Sequence, residues 1–408
     1  MKKIKYFVIF FIFSIFACIF TACHKNKNKT LEIAFYNIPQ EIQEEITKYI
    51  ISQNENTTIN YIVIEDTIPL SEQAKELKKD LKNVSMIFAQ TDEDVKEFSE
   101  SNKLVQKVSS QYLSGMPISV ISTINRDGNN ISRIPFIFDM CQIDINYGAY
   151  KNTSVKSLNL WNDLIQVATE EKSVFDTPVI FAYKNDEELL NTFGQLIEVF
   201  ADYEAFETFY DSVYKAFKNY RANGSDALKE IDRLLKEDKG AQEAIFQLRR
   251  MMSKQNGVIT SPVFSLNSND TTFYADYNLC GIILSSLSAH RKINPDVIGS
   301  YRSIYYPPVS ANAQRKFTAQ EYCIIPLSNS EETLSLISKI CNTDQTIIST
   351  ATGLAPVQKS CATADHQADD VRFWITASSG PLPPLTNALP EAKALEYTAK
   401  ALRNLLEE

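Results

Sequence analysis

The chain has 408 residues, of which 44% are apolar and 22% are charged, and it contains 11 Gly and 15 Pro. This composition is typical of a globular protein and excludes collagen-like, low-complexity and wholly disordered chains. The length predicts two or three domains, at roughly 100–200 residues per domain. Because the formal net charge is −9 and there are three His, we expect neither nucleic-acid binding, which needs clustered cations, nor a multi-histidine metal site.

The first 23 residues predict an exported protein. Residues 1–5 are mostly basic, residues 6–20 are almost wholly apolar, and the small residues Thr21 and Ala22 precede Cys23. The apolar run is shorter than the ~20 residues that a membrane-spanning helix needs. A basic start, a short apolar stretch and small residues at its end are typical of a secretory signal.

The same pattern resembles a bacterial lipoprotein signal. The resemblance implies a signal peptide over residues 1–22, lipid attachment at Cys23 and a polar tether over residues 23–30, so that acyl chains hold the protein on a membrane outside the cytoplasm. The alternative is a plain signal anchor or a secreted protein without lipid. The five later cysteines are widely spaced and form no C-x-x-C motif. We expect buried thiols there, with one disulfide as the alternative.

The region after the tether predicts alternating strands and helices. Strand patterns over residues 31–36, 58–64 and 84–89 are separated by helical apolar stripes over residues 42–50 and 70–81. Alternating strands and helices with short connections predict a parallel sheet covered by helices, which is an α/β fold.

Polar residues follow the ends of these strands. Parallel sheets bind ligands beside the carboxyl ends of their strands, near helix N-termini. Tyr36 and Asn37 follow the first strand, residues 65–66 are acidic and follow the second, and Thr91 and Asp92 follow the third. Tyr36, Asn37, Thr91 and Asp92 are therefore candidate ligand contacts. The alternative is that the polar members only cap the helices that follow.

The middle of the chain predicts helices, and later stretches predict strands again. Apolar positions at helical spacing mark helices in residues 160–168, 189–200, 203–217, 240–252 and 391–406. The third of these carries an aromatic stripe, which we interpret as core packing. Strand-like runs occur in residues 279–284, 301–309 and 321–327.

Recognisable catalytic motifs do not occur in the sequence. The chain has no G-x-S-x-G, H-E-x-x-H, P-loop or G-x-G-x-x-G sequence, and the acidic run at residues 92–94 lacks the Gly and terminal Glu of a calcium loop. We therefore expect no enzyme, no cofactor and no bound metal. A secreted glycan-processing enzyme stays open as an alternative, because a pair of carboxyl groups across a cleft cannot be recognised from sequence.

Several segments, in their order along the chain, resemble the extracellular solute-binding proteins of ABC importers in the maltose-binding-protein-like family. The segments are Arg133–Asp139, Ile145–Tyr150, Leu160–Leu164, Ala241–Gly257 leading to Phe273 and Cys280–Leu284, Tyr305–Pro308, Tyr322–Ser328 and Thr352–Ser360. Their order carries the resemblance, which covers most of residues 30–360.

The resemblance implies a two-lobed periplasmic-binding-protein-like fold with a ligand cleft between the lobes. Lobe one would take residues 30–136 and 300–342, and lobe two would take residues 138–298 and 343–408. Members of the family capture a small polar solute, most often a sugar or oligosaccharide, by hinge closure and deliver it to an ABC permease without doing chemistry. We therefore expect a monomer whose partners are the small solute and the ABC permease.

The resemblance also adds site residues to those at the strand ends. Asp139 would lie at the hinge, and Ser285 would contact the ligand from lobe two. Because the chain has only two Trp, the rings that could stack on a sugar are those of Tyr36, Phe138, Tyr305 and Tyr306. The alternative function is that of a surface lipoprotein of the same fold which binds a host or envelope macromolecule.

Overall fold

The computed structural model describes residues 29–53, 57–64, 69–76, 81–218, 220–255, 257–389 and 391–407. The predicted signal peptide, Cys23 and most of the predicted tether lie outside these residues, as do the acidic residues 65–66. Within the described residues, no helix combines the length and the apolar character that crossing a membrane requires.

The described residues form twelve strands and seventeen α-helices. The strands are β1 Lys29–Tyr36, β2 Thr57–Ile64, β3 Val84–Gln90, β4 Val108–Ser109, β5 Asn130–Ile131, β6 Ile134–Asn146, β7 Val179–Ile180, β8 Ile282–Ser286, β9 Tyr301–Ile304, β10 Phe317–Pro326, β11 Ala355–Pro356 and β12 Pro381–Leu382. The helices are α1 Gln40–Gln53, α2 Leu70–Glu76, α3 Glu93–Ser101, α4 Ile118–Ile121, α5 Tyr147–Tyr150, α6 Trp161–Glu171, α7 Asp186–Phe200, α8 Tyr203–Lys218, α9 Tyr220–Glu237, α10 Lys239–Met251, α11 Ser268–Asp276, α12 Leu287–His290, α13 Pro295–Ile298, α14 Glu331–Ile340, α15 Gln345–Thr352, α16 His366–Ala377 and α17 Ala392–Glu407. Short 3-10 helices cover Leu81–Asn83, Ser110–Leu113, Ser261–Ser265 and Leu385–Ala388.

One sheet runs through the molecule. β1 pairs in parallel with β2 on one side and with β3 on the other, and β3 pairs antiparallel with β10. The sheet then continues through β6 and β8 to β7, so that its strand order is β2-β1-β3-β10-β6-β8-β7. The first three strands are parallel with helices between them, as the alternating pattern predicts, and the α/β class is confirmed.

The strands β6 and β10 join the two halves of this sheet. Residues 134–140 of β6 pair with β10, whereas residues 141–145 pair with β8. Most of β6 is apolar and buried, as expected for a strand that is covered on both faces. The exchange of partners occurs immediately after Met140, next to Asp139.

The buried apolar side chains form two cores, which define two lobes. The lobe-one core has two clusters, one on each face of β1 and β3. The lobe-two core contains the second half of β6, the strands β7 and β8, and the helices α6 to α10 and α17. The aromatic stripe of α8 lies in this core, with Phe206, Phe209 and Phe217 at most 5% exposed, so the core-packing interpretation of that stripe holds.

The cores divide the chain differently from the boundaries that the resemblance implies. Residues 343–376 were assigned to lobe two, but the buried apolar residues of α15 and α16 lie in the lobe-one core. The physical reason is that β11 pairs with residues 137–138, at the lobe-one end of β6, and so holds its flanking helices on that lobe. Tyr301 and Tyr306 were assigned to lobe one and lie in the lobe-two core instead.

Candidate functional site

Polar side chains meet beside the point where β6 passes from one lobe to the other. Burial raises the pKa of Glu188 on α7, and the nearby charge of Asp139 adds to this increase. Burial also raises the pKa of Tyr322 on β10, with contributions from the charges of Asp139 and Glu41. We call this region, defined by Glu41, Asp139, Glu188, Ser288 and Tyr322, the lobe boundary.

Asp139 is held by the start of α12. Its Oδ1 accepts a hydrogen bond from the backbone N–H of Ser288 at 3.0 Å. The backbone N–H of Leu287 and the hydroxyl of Ser288 also donate to this carboxylate, and they partly offset the increase in its pKa that burial causes. Since Leu287 packs into the lobe-one core while α12 follows β8 of lobe two, these hydrogen bonds fasten the connection between the lobes at Asp139.

The two serines that end β8 precede this contact. Ser285 and Ser286 are half-buried. The Ser286 Oγ accepts a hydrogen bond from the backbone N–H of Ala289 at 3.2 Å, which makes it the N-cap of α12. Ser285 lies one residue before the cap, and its hydroxyl donates to the Ser286 carbonyl oxygen at 3.3 Å. The predicted contact Ser285 is therefore three residues from the serine that binds Asp139.

The end of β1 contributes a turn rather than an aromatic surface. Tyr36 is 1% exposed and lies in the lobe-one core. Asn37 is half-buried and has a φ of 50°, in the left-handed region that Asn tolerates better than most residues. The chain then enters α1, where the Pro39 carbonyl accepts from the backbone N–H of Ile42 at 3.0 Å. Asn37 thus shapes the turn that leads to Glu41 at the lobe boundary.

The end of β3 is covered by the protein itself. Thr91 is 2% exposed, and its hydroxyl donates to Glu321 at 2.9 Å, while its carbonyl oxygen accepts from Asn387 Nδ2 at 2.6 Å. Asp92 is 4% exposed and caps α3 by accepting from the backbone N–H of Val95 at 2.7 Å. Burial raises the pKa of Asp92 to about 7. Asp92 is therefore a helix cap, which is the alternative that the sequence left open for it.

The helix α8 of lobe two lies over the start of α3. The Tyr210 hydroxyl donates to Glu93 at 3.0 Å, and the Lys218 ammonium forms an ion pair with Glu97 at 2.7 Å. These contacts hold lobe two beside the start of α3, which Thr91 and Asp92 immediately precede. In this arrangement of the lobes, the end of β3 lies beneath lobe two.

The other predicted stacking residues have different surroundings. Tyr306 is 1% exposed and lies in the lobe-two core. Phe138 is 2% exposed and belongs to the lobe-one core, so its ring packs inside the protein. Tyr305 is half-buried, with its ring centroid 5.4 Å from that of Phe317 and 5.7 Å from that of Trp374. Tyr305 thus belongs to a partly accessible aromatic group, and Phe138 does not.

Sequence reasoning missed four residues of this region, namely Glu41, Glu188, Lys292 and Tyr322. Glu188 lies in the first turn of α7, the helix that follows β7, and is eight residues after the end of that strand, so the strand-end rule applies to it. β7 has only two residues, however, and such a short strand has no periodicity to recognise. Lys292 follows α12, and its ammonium lies 3.9 Å from the Glu41 carboxylate; no local pattern predicts that contact.

The described residues contain no group of three or more His, Cys, Asp or Glu side chains arranged to hold a metal ion. The five cysteines after Cys23 have free thiols, and four of them are buried. The lobe boundary offers carboxylates and hydroxyls, and the ammonium of Lys292 lies beside it. Such groups bind polar solutes through hydrogen bonds and charge.

No family model matches the chain, and no curated protein does. Solved structures do match. AcbH, a bacterial solute receptor described as having an exclusive substrate preference for β-D-galactopyranose, is 8% identical, with a TM-score of 0.65 over 93% of this chain and 99% of that chain. The fold is that of the two-lobed solute-binding proteins.

Two further solved structures support this assignment of the fold. The apo form of RafE from Streptococcus pneumoniae is 11% identical, with a TM-score of 0.62 over 95% of this chain and 98% of that chain. The binding protein MsmE from Bacillus subtilis, in an open conformation, is 10% identical, with a TM-score of 0.63 over 93% of this chain and 95% of that chain. At such low identity the likeness extends to the fold and leaves function to be argued from the site.

Proposed function

We propose that this protein is a lipid-anchored receptor outside the cytoplasm which captures a small polar solute, a sugar or oligosaccharide, between its lobes for an ABC importer. It acts as a binding protein and not as an enzyme. The observation that carries the proposal is the lobe boundary itself, where Asp139, Glu188 and Ser288 lie beside the exchange of partners on β6.

Two properties of that boundary suit capture by hinge closure, and the proteins of like fold favour a sugar as the solute. The carboxylates and hydroxyls there can accept and donate hydrogen bonds to a polyhydroxylated solute. The lobes are joined by extended strands, where changes at a few residues suffice to rotate one lobe against the other. The proteins of like fold include a receptor for galactopyranose and RafE, which has also been solved in complex with raffinose, and this likeness favours a sugar.

A thermal-shift panel tests the proposal. The full chain, purified in mild detergent, is melted alone and with mono- and oligosaccharides, amino acids and polyamines at millimolar concentration. A solute at 100 times its dissociation constant stabilises the native state by about 2.7 kcal/mol, which raises the melting temperature measurably. We expect at least one sugar or amino sugar to do so. A folded chain that no solute in the panel stabilises would contradict capture of a small solute and favour a macromolecular ligand.

The lipid anchor has its own test. When the full chain is expressed in a bacterium, we expect it to sediment with membranes, and we expect Cys23→Ser to remove most of it from that fraction. The matched control is Cys361→Ser, which removes a later thiol and leaves the signal unchanged. Equal membrane association of Cys23→Ser and the parent, with no acyl group on Cys23 by mass spectrometry, would refute lipidation at this residue.

A further inference from the structure

The helix α12 is attached to lobe one, although it follows β8 of lobe two. At its start, the backbone N–H of Ser288 donates to Asp139 at 3.0 Å. At its end, the Arg291 guanidinium donates from Nε to the Gly353 carbonyl oxygen at 3.0 Å and from Nη2 to Asp365 at 2.8 Å. The last two partners are caps of α15 and α16, whose buried apolar residues lie in the lobe-one core. We therefore treat α12 as part of lobe one.

The side chain of His290 on this helix contacts lobe two. It is fully buried, and its Nδ1 lies 3.1 Å from Oδ1 of Asp144, which is fully buried as well. Asp144 lies between Ile143 and Ile145, in the part of β6 that pairs with β8 and β9 and belongs to the lobe-two core. The His290–Asp144 contact is thus a buried contact between the lobes.

Neutral groups hold Asp144 on the lobe-two side. Its Oδ1 accepts from the side-chain amide of Gln142 at 2.8 Å and from the Ser303 hydroxyl at 2.9 Å. Within the described residues, Oδ2 of Asp144 has no hydrogen-bond partner, and neither do the two ring nitrogens of His290. The His290 Nδ1 is thus close enough to Asp144 for an ion pair without being aligned for a hydrogen bond.

The charge balance of this contact depends on one proton. An imidazole gains or loses its charge between pH 5 and 8. While His290 carries the proton, the imidazolium and the Asp144 carboxylate offset each other. After the proton is lost, a carboxylate stays buried without a cation, which is costly. Separation of α12 from β6 would let water reach that carboxylate and remove the cost.

We infer that His290 and Asp144 form a pH-sensitive contact between the lobes, which holds the arrangement seen here while the pair carries a proton and weakens as the pH rises. The inference concerns the lobes themselves and does not depend on the identity of a solute. If the lobes capture a solute, its affinity falls above neutral pH, because closure then buries an unpaired charge.

Most other titratable side chains on α12 and on the elements packed against it are paired. The pairs are Asp139 with the backbone N–H of Ser288, Arg291 with Asp365, Lys292 with Glu41, Asp369 with Arg372, and Asp270 and Asp276 with the backbone N–H groups of Asn267 and Asn294. The others are Cys141 on β6, Tyr274 on α11, Tyr301 and Arg302 on β9, and His366 and Asp370 on α16. Of these, His366 is an imidazole and is exposed, so it provides a matched control.

Distances between spin labels on the two lobes test the inference without any solute. The labels are placed on Ser335→Cys in lobe one and Glu243→Cys in lobe two, both at exposed positions, in the full chain in mild detergent. The parent shows whether the native thiols take up label. We expect one short distance at pH 5.5, and a fall of about tenfold or more in its ratio to longer distances by pH 8. The ratio changes up to about tenfold for each pH unit over which one arrangement keeps a proton that the other has lost.

The variants assign the proton. We expect His290→Gln and Asp144→Asn each to remove the response to pH, and the control His366→Gln to keep it. Burial raises the pKa of Asp92 to about 7 and that of Glu171 to about 8, so both also titrate in this range. A response caused by either of them would persist in His290→Gln. Melting curves check that each variant folds.

The opposing results are distinct. Equal distance distributions at pH 5.5 and 8 in the doubly labelled chain would overturn the inference, whatever the variants do. A response that folded His290→Gln retains, or a shift to shorter distances as the pH rises, would also overturn it. If His290→Gln does not fold, the same criterion applies to Asp144→Asn. These outcomes leave solute capture to the thermal-shift panel.

Discussion

Glu171 is a buried carboxylate that has no hydrogen-bond partner within the described residues. It ends α6 with 1% of its surface exposed, and neither carboxylate oxygen is hydrogen-bonded there. The side chain packs on the backbone of Gly281, where an added Cβ would lie 1.8 Å from Oε2. Burial raises the pKa of Glu171 to about 8. Gly281 is thus required for space, and Glu171 is protonated at neutral pH.

The raised pKa of Glu171 predicts a stability that falls as the pH rises. Below the ordinary pKa of a glutamate both states are protonated. Between that value and about 8 the unfolded chain loses the proton and the folded chain keeps it, so the free energy of unfolding falls by up to ~1.4 kcal/mol per pH unit. We expect Glu171→Gln to remove this part of the slope, as measured by urea unfolding from pH 5 to 8. If the exposed control Glu396→Gln flattened the slope equally, Glu171 would not be its cause.

Single residues of the site were predictable in part. The strand-end rule and capping chemistry identify Asp92 as either a ligand contact or a helix cap, and in the structure it is a cap. Sequence could not decide between these roles, because the contacts that bring lobe two beside the start of α3, such as the Tyr210–Glu93 hydrogen bond, come from α8, more than a hundred residues later. Tyr322, which sequence reasoning missed, lies at the lobe boundary because β10 pairs with β3 and β6, and no local pattern predicts those long-range pairings.

At the scale of elements, β10 is joined to lobe two by a buried ion pair. Arg315, just before β10, donates two hydrogen bonds of 2.6 Å to Glu198 on α7, whose side chain is fully buried. Gln195 on α7 also holds the start of β10, because its side-chain oxygen accepts a hydrogen bond from the backbone N–H of Thr318 at 3.2 Å. Burial raises the pKa of Glu198, and Arg315 lowers it, with a net increase. The ion pair with Arg315 thus stabilises the ionised form of the buried Glu198 carboxylate.

Removal of one partner of this pair should cost more than removal of both. We expect Arg315→Met to lower the free energy of unfolding by about 3–5 kcal/mol, because it leaves a buried carboxylate unpaired. The double variant Arg315→Met with Glu198→Leu should recover most of that loss in urea unfolding. The neighbouring Lys316→Met, which breaks an ion pair with the exposed Glu207, should cost under about 1 kcal/mol. A double variant as unstable as Arg315→Met would contradict this account.

The elements with strong periodicity were predicted, and the short ones were not. The patterns over residues 31–36 and 84–89 correspond to β1 and β3, and the stripe over residues 203–217 corresponds to α8. β10 begins four residues before the predicted run at 321–327. Residues 317–320 belong to the strand because they pair with β12 and β6, and they show no local apolar alternation that would predict it. β7 has two residues, which is too few for any pattern.

At the scale of the whole molecule, the two-lobed architecture was predicted and the division of the chain was not. The order of weak motifs was enough to imply the fold. The sequence could not reveal that residues 343–376 return to lobe one, because the contact that holds them is the pairing of β11 with β6, between segments more than two hundred residues apart. Long-range pairing of short strands leaves no local signal.

At the scale of the whole molecule, we propose that one small solute binds between the lobes. Ser285 is half-buried at the end of β8, so that a large side chain there would occupy the space beside the lobe boundary. Ser335 is exposed on α14 in lobe one and offers a matched site for the same substitution. Blocking by Ser285→Trp therefore tests where the solute binds.

The most direct measurement is a calorimetric titration of the full chain, of Ser285→Trp and of Ser335→Trp with the solute that raises the melting temperature most. We predict one solute per chain for the parent and for Ser335→Trp, and a loss of affinity of about a hundredfold for Ser285→Trp, since a blocked cleft cannot bury the ligand. Equal affinity in all three proteins would contradict binding between the lobes.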